Sequence, residues 1–329
     1  MRERRVIKQI RELTGKVRRP WLSQGIGDDC AVLSGPMADD RLVTTDMLVE
    51  GAHFDCRWHP AYLLGRKSLA VSVSDIAAMA GRARFALLSL ALPARLDDVW
   101  IADFIAGFAS KLAEEQVILI GGDTVGGDKL VISVTVLGSV GQGKAIKRQG
   151  ARPGDGVYVT GALGLAAAGL HLCQSKSDDM AVSPWPHLLG ALLDPQAQSA
   201  MGRLLGDFGA VSAMQDISDG VATDLAHICQ VSQVAAEIFA DCLPPHPELE
   251  KYCRLAGLDP INLQLRGGED YQLLFTMPPE REEALALACT AEKLPKPQRI
   301  GLVRDGDGVW LRQNGTVKEM SFQGYEHRS

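Results

Sequence analysis

Residues 41–49 read RLVTTDMLV and residues 84–92 read RFALLSLAL, and between them residues 60–79 form one long helix-compatible stretch. Two strand-like runs flanking a helix within so short a span indicate mixed α/β architecture. The pattern continues outward in both directions. Upstream, Val6, Ile7, Ile10 and Leu13 share a helical face, which predicts a short amphipathic helix over 3–14. Downstream, Asp97 and Asp98 can cap a helix in which Ile101, Ile105, Phe108 and Leu112 recur at helical spacing. VILIGG (117–122) then reads as a buried strand ending at its glycines, and LVISVTVLG (130–138) as another strand.

The stretch GQGKAIKRQGARPGDG (141–156), rich in Gly and basic residues, is the best candidate boundary, and it divides residues 1–147 from 148–329. A second α/β series follows. It comprises GVYVTG (156–161), the Ala-rich helix LGLAAAGLHL (163–172), a polar loop near 175–179 and a helix from Gly220. VAAEIFA (234–240), YQLLFTM (271–277), a helix over 280–291 and QRIGLV (298–303) complete it. No sequence repeat links the two halves.

A chain of 329 residues, 46% apolar and 22% charged, has material for about two packed domains and none of the bias of disordered or fibrous sequences. The basic start MRERRVIKQIREL lacks the apolar core of a secretory signal, and no window approaches a membrane span, so a cytoplasmic location is expected. Seven scattered cysteines without a Cys-x-x-Cys spacing read as reduced thiols. A net charge of −6 argues against a nucleic-acid surface. An acidic protein binds phosphates through bridging cations, since Mg²⁺ sits between carboxylates and phosphate oxygens.

Five acidic motifs carry that chemistry: GIGDDCAV with Asp28 and Asp29, TTDMLVEGAHF with Asp46, VSVSDIAAMAG with Asp75, GGDT with Asp123, and DISDG with Asp216 and Asp219. An ionised carboxylate in apolar surroundings costs several kcal/mol unless paired or metal-bound. Asp75 is the only charge in a long apolar run, although Ser74 or Asp75 could equally cap a following helix. Ser218 or Asp219 could likewise be an N-cap, Asp28 with Asp29 a solvated turn, GGDT a strand-to-turn transition, and Glu269 with Asp270 a polar turn. Taken together, aspartates at strand ends beside glycine place hard oxygen ligands where backbone can approach a polyphosphate. Lys67 and Lys129 are the nearest cations in sequence, so ion pairing is not the obvious solution. Several Mg²⁺ ions would relieve the repulsion of converging carboxylates.

Familiar alternatives fail on spacing. There is no Gly-x-x-x-x-Gly-Lys-Ser/Thr, no protein-kinase catalytic loop, no Rossmann Gly-x-Gly-x-x-Gly after a strand, no Gly-x-Ser-x-Gly elbow and no His-x-x-x-His pair.

Read in order, GIGDDCAVL, TTDMLVEGAHF, RKSLAVSVSDIAAMAG, LSLALP, LIGGDT, ISVTVLG, RPGDGVYVTG, DISDG and RGGEDYQLLFT resemble the thiamine-monophosphate kinase family over nearly the whole chain. DISDG and GGDT belong to the wider superfamily of aminoimidazole ribonucleotide synthetase and selenophosphate synthetase, whereas VEGAHF and GGEDY narrow the likeness to the kinase. The resemblance implies a two-domain aminoimidazole ribonucleotide synthetase-like fold. An N-terminal α/β domain forms a dimer sheet, and a C-terminal α/β domain closes a cleft over ATP. It implies transfer of the ATP γ-phosphoryl directly to thiamine monophosphate. By matching motifs it assigns Asp29, Thr44, Thr45, Asp46, Asp75, Asp123, Asp216 and Asp219 as Mg²⁺ ligands. Gly122, Asp123, Arg148 and Ser218 fall to ATP, and His53, Glu269 and Tyr325 to the substrate. A monovalent cation is a further expected cofactor, and a homodimer the expected assembly. No general base is assigned, because an acceptor phosphate is already ionised.

The chain departs from the family pattern at Gly126 and Asp128 in GGDTVGGDKL, at Ala83 where proline is common, and in the tail GYEHRS. The rival readings are another ATP-dependent enzyme of the superfamily and a non-catalytic nucleotide-binding protein. A selenophosphate synthetase would carry a Gly-rich Cys or selenocysteine segment, and none precedes Gly25. A non-catalytic relative would have lost metal ligands, and all are in place.

Overall fold

The computed structural model describes residues 22–24, 28–33, 39–175 and 184–325; the helix expected over 3–14 and most of the loop near 175–179 lie outside them. Six strands build the first sheet: β1 (Leu22–Gln24), β2 (Ala31–Leu33), β3 (Asp39–Val49), β4 (Arg82–Leu92), β5 (Ile118–Gly126) and β6 (Val131–Gly141). Their order is β1-β2-β3-β6-β4-β5, and among the described residues β4–β5 is its only parallel pair. Period-two alternation decides which residues meet the core. Leu42, Thr44 and Leu48 of β3 and Ile132, Val134 and Val136 of β6 are buried, while Thr45 and Met47 face out.

Helix α1 (Ala61–Ala78) covers the inner face through Leu64, Leu69, Val73 and Ile76, all essentially buried. Helix α2 (Asp98–Glu115) begins as expected at Asp97, whose carboxylate accepts from the Trp100 N–H at 2.8 Å. The two helices cross at glycines. A Cβ on Gly65 would lie 2.1 Å from the Phe104 carbonyl oxygen, and one on Gly107 1.8 Å from that of Tyr62, so only glycine admits this approach.

One expectation is overturned. In VILIGG only Val117, just before the strand, is buried, and the glycines do not end it: β5 runs on to Gly126, and every residue in it is exposed. It is an edge strand with β4 as its one neighbour. Apolar composition alone does not say which surface will cover a strand.

The second sheet has seven strands: β7 (Gly156–Val159), β8 (Ala213–Asp216), β9 (Ala235–Phe239), β10 (Leu273–Met277), β11 (Gln298–Arg304), β12 (Gly308–Gln313) and β13 (Thr316–Glu319), ordered β13-β12-β9-β11-β7-β10-β8. Helices α3 (Leu165–Ser175), α4 (Pro186–Leu193), α5 (Ser199–Phe208), α6 (Val221–Ser232), α7 (Pro247–Ala256), α8 (Pro260–Arg266) and α9 (Glu282–Ala291) belong to this half. The sequence reading missed α4, α5, α7 and α8. Three of these open with proline, which punctuates loops but also suits the first helical position.

Helix α1 joins the halves. Its second side packs against β8 and α5, and Ala78 and Ala80 share a core with Met201, Leu205, Met214 and Phe275. Among the described residues no helix is long and apolar enough to cross a membrane.

Candidate active site

The site forms where α1 meets β8. Asp75 lies in the last turn of α1, so it caps no following helix; Asp29 comes from the turn before β2, and Asp216 ends β8. One carboxylate oxygen of each lies within 4.8 Å of the others. The Thr44 hydroxyl donates to Asp75 and the Ser74 hydroxyl to Asp216 at 2.6 Å. Asp46 projects from the same face of β3 as Thr44. The Asp29 Oδ2 and Asp46 Oδ2 atoms are buried and have no hydrogen-bond partner among the described residues.

Like charges with so little water raise carboxyl pKa values. Asp216 is pushed up to about 7, by burial first and then by Asp29. Asp28 rises to about 6 through burial and Asp29. Burial and its neighbours Asp46, Asp216 and Asp29 raise Asp75 well above the usual carboxylate range, and Asp46 also rises. Hard oxygen donors, orphaned acceptors and mutual repulsion are what a divalent cation resolves, so these residues fit Mg²⁺.

Ion pairing, not the obvious solution from sequence neighbours, does occur at the cluster. Arg148, 119 residues from Asp29 in sequence, donates from Nη2 to its carboxylate, and its backbone N–H reaches Asp28 at 3.3 Å. Its Nε is buried without a partner.

The DISDG segment is not side-chain capped. Gly220 precedes α6 with φ 103°, a conformation that favours glycine, and no side chain caps the helix. Instead Asp224, inside α6, accepts from the Asp219 N–H at 3.2 Å. Burial, Asp219 and Asp216 raise Asp224 well above the carboxylate range. Sequence reasoning missed Asp224, although it is a lone charge in the apolar run VATDLAHI, the signal that marked Asp75. The GGEDY segment docks on this loop: the Glu269 N–H donates to the Ser218 carbonyl at 2.8 Å and the Tyr271 N–H to that of Ile217 at 2.9 Å. Asp270 is not a solvated turn residue. It is buried, accepts from the Gly164 N–H at 2.7 Å just before α3, and burial pushes its pKa to about 7.

A cavity of about 1740 Å³ opens beside these elements, lined by Asp46, His53, Ser218, Asp219, Glu269 and Tyr325 among others. His53 is oriented through its Nδ1, which accepts from the Val49 N–H at 3.0 Å, and the Tyr325 N–H donates to the Asp219 carbonyl at 2.8 Å. Trp58 and Trp100, which the sequence reading did not single out, also line it.

Thr45, Gly122 and Asp123 are not brought to the cluster within the chain. Thr45 points to the outer face, where its hydroxyl meets that of Thr135 at 3.0 Å. Asp123 pairs with Ser89 on β4, Ser89 with Ser133 on β6, and Ser133 with Met47, so Asp123 shares the outer face. Three strand spacings, about 14 Å, separate β5 from β3.

Comparison with known proteins bears on the family and the fold. The family of AIR synthase related proteins matches through its N-terminal domain over residues 27–140 and its C-terminal domain over 152–312. The thiamine-monophosphate kinase of Bacillus subtilis is 36% identical over 309 residues, covering 92% of this chain and 93% of that one. That of Aquifex aeolicus is 34% identical over 324 residues, covering 98% and 99%. The chain belongs to the thiamine-monophosphate kinase family. Among solved structures of the family, AaThiL complexed with AMPPCP and TMP superimposes with a TM-score of 0.83 at 34% identity, covering 94% of this chain and 93% of that one. The hydrogenase maturation protein HypE in complex with ATP, at 22% identity and a TM-score of 0.69, shares the fold over 99% of this chain and 95% of its own.

Proposed function

We propose that the chain phosphorylates thiamine monophosphate to thiamine diphosphate at the expense of ATP, by direct phosphoryl transfer beside the aspartate cluster. The observation that carries this reading is the convergence of Asp29, Asp75 and Asp216, from both halves of a family member, next to a cavity of about 1740 Å³. Asp29, Thr44, Asp46, Asp75, Asp216 and Asp219 are the residues that would hold several Mg²⁺ ions. Mg²⁺ bound there supplies charge neutralisation for two phosphate groups that otherwise repel.

The protein's own groups position the reactants. Arg148 and Ser218 face the nucleotide, and the buried, unpaired Nε of Arg148 suits a phosphate oxygen. His53, Glu269 and Tyr325 orient the acceptor in the cavity. An oxygen of the acceptor phosphate attacks the γ-phosphorus, the bond to the β,γ-bridging oxygen breaks, and ADP leaves. The acceptor oxygen is already ionised, so no side chain removes a proton. A bound monovalent cation and a cytoplasmic setting belong to the same reading.

We further assign residues 1–147 to nucleotide binding, metal binding and dimerisation, and residues 148–329 to closing the cleft. The outer face of the first sheet exposes Met47, Phe85, Ile118 and Val125, an apolar surface suited to a second copy of the chain. A homodimer through this face would reconcile the placement of Asp123 with the ligand role proposed for it, since it would then serve the partner's cluster and not its own.

The deciding experiment measures ATP consumption with Mg²⁺ as thiamine monophosphate, thiamine, selenide or a purine-pathway amide is added singly. Thiamine diphosphate formed with equimolar ADP from the first alone is the expected result. Turnover with another acceptor replaces the substrate, and no turnover with any leaves a nucleotide-binding protein.

A further inference from the structure

Lys67 lies in α1, two turns before Asp75, and its side chain has no exposed surface. Its ammonium donates to the Leu192 carbonyl, in the last turn of α4, and to Glu269 Oε2, both at 3.0 Å. His59 sits against the same helix end, its Nε2 3.1 Å from the Leu193 carbonyl. Burial and the Lys67 charge push the His59 pKa down to about 3, so it is a neutral imidazole and adds no second positive charge. Glu269 supplies the carboxylate that faces the ammonium.

Glu269 is held from both ends. Its backbone adopts φ 65°, in the left-handed region that residues other than glycine rarely enter, and its N–H is tied to Ser218. Its side chain is 24% exposed and lines the cavity, whereas the lysine behind it is wholly enclosed. Stability is a weak reason for such a pair. Desolvating an ammonium is costly, and well-packed apolar residues often replace a buried ion pair without loss. A carboxylate anchored from the rear and presented to a cavity suits a ligand bearing positive charge or N–H donors.

We propose that Lys67 is a positioning residue for acceptor recognition: from beneath the cavity wall it fixes the Glu269 carboxylate where the cationic, N–H-bearing ring portion of the acceptor docks. This rests on the reading of the site given above and assigns a role to a residue of α1 that touches no reactant. Lys67 and Glu269 then act as one unit, the ammonium setting the carboxylate's orientation and the carboxylate making the contact.

The test compares Lys67→Met, Glu269→Gln and the double variant in steady-state kinetics, varying thiamine monophosphate and ATP separately. Each single variant is expected to raise the acceptor KM about tenfold while the ATP KM changes less than about twofold. The double variant should be no worse than the poorer single one, because the two substitutions remove one interaction. If Lys67→Met alone fails to fold, the double variant, which leaves no unpaired buried charge, is compared with Glu269→Gln, and equal acceptor KM values are expected. A role confined to stability would lower the melting temperature of Lys67→Met and leave both KM values at wild type. That result overturns the proposal, as do additive effects of the two substitutions. An unchanged acceptor KM in Glu269→Gln overturns the reading of the site itself, and the proposal with it.

Discussion

Asp75 is held beside Asp29 and Asp216 by the fold, and burial with three neighbouring carboxylates raises its pKa well above the usual carboxylate range. Two opposite consequences follow for Asp75→Asn. Turnover should fall at least about a hundredfold, because a ligand charge is lost. The metal-free variant should melt higher at pH 8 than metal-free wild type, because the wild-type carboxyl must hold a proton or ionise beside its neighbours, a cost the amide does not carry. A thermal scan beside an activity assay checks both, and a variant that keeps full turnover contradicts the metal-site reading. Asp270 offers a cleaner pH test, since it is tied to the backbone before α3 and not to the cluster. Its folded-state pKa is raised from 3.8 to about 7, so its contribution to stability is present below pH 4 and is lost as pH rises through 7. Against Asp270→Asn, which does not titrate, wild type should lose up to about 4 kcal/mol of relative stability across that window. Urea unfolding of both proteins at pH 4 and pH 8 measures the difference.

At the scale of elements, α1 is the member that both halves share. It covers the inner face of the first sheet, touches β8, and carries Lys67, Ser74 and Asp75 toward the site. Its placement depends on its crossing with α2, where a Cβ at Gly107 would fall 1.8 Å from the Tyr62 carbonyl oxygen. Backbone cannot yield as a flexible side chain would, so Gly107→Ala should force the helices apart and cost about 3 kcal/mol. Denaturant titration reads that loss, and turnover should fall with it because Asp75 moves with α1. Most of these elements were legible beforehand: the alternation in β3, the run of α1 and the Asp97 cap are local signals. The helices opening at Pro186, Pro247 and Pro260 were not, since proline marks a loop or a helix start with equal force.

For the whole molecule, the placement of Asp123 yields a test of assembly. Asp75 and Asp123 lie on opposite faces of the first sheet, so in the proposed homodimer a site that uses both would take one from each subunit. Asp75→Asn and Asp123→Asn should each be inactive alone. In a dimer formed from one of each, one site keeps its own Asp75 and the partner's intact Asp123. Mixed at equal amounts, the two dead variants should regain about a quarter of wild-type activity, since half the dimers are mixed and half their sites intact. Activity that stays at zero on mixing, with subunit exchange verified by sedimentation or mass measurement, places both aspartates in one site. Phe85→Glu with Ile118→Glu should yield monomers in sedimentation, because two charges then sit on the outer face.

By itself the sequence determined the class of fold and pointed to a chemistry. Strand alternation, helical periodicity and aspartates beside glycine are short-range patterns that survive without three-dimensional knowledge, and together they indicated mixed α/β halves handling phosphate through divalent metal. Tertiary structure decided which charges meet. Asp29, Asp75 and Asp216 come from three separate elements, Arg148 reaches Asp29 across 119 residues, and Lys67 reaches Glu269 across 202. It also decided that β5 is an exposed edge and not a buried strand. These outcomes depend on how the two sheets pack about α1, and burial converts such long-range meetings into shifted proton affinities and ion pairs that no local pattern encodes.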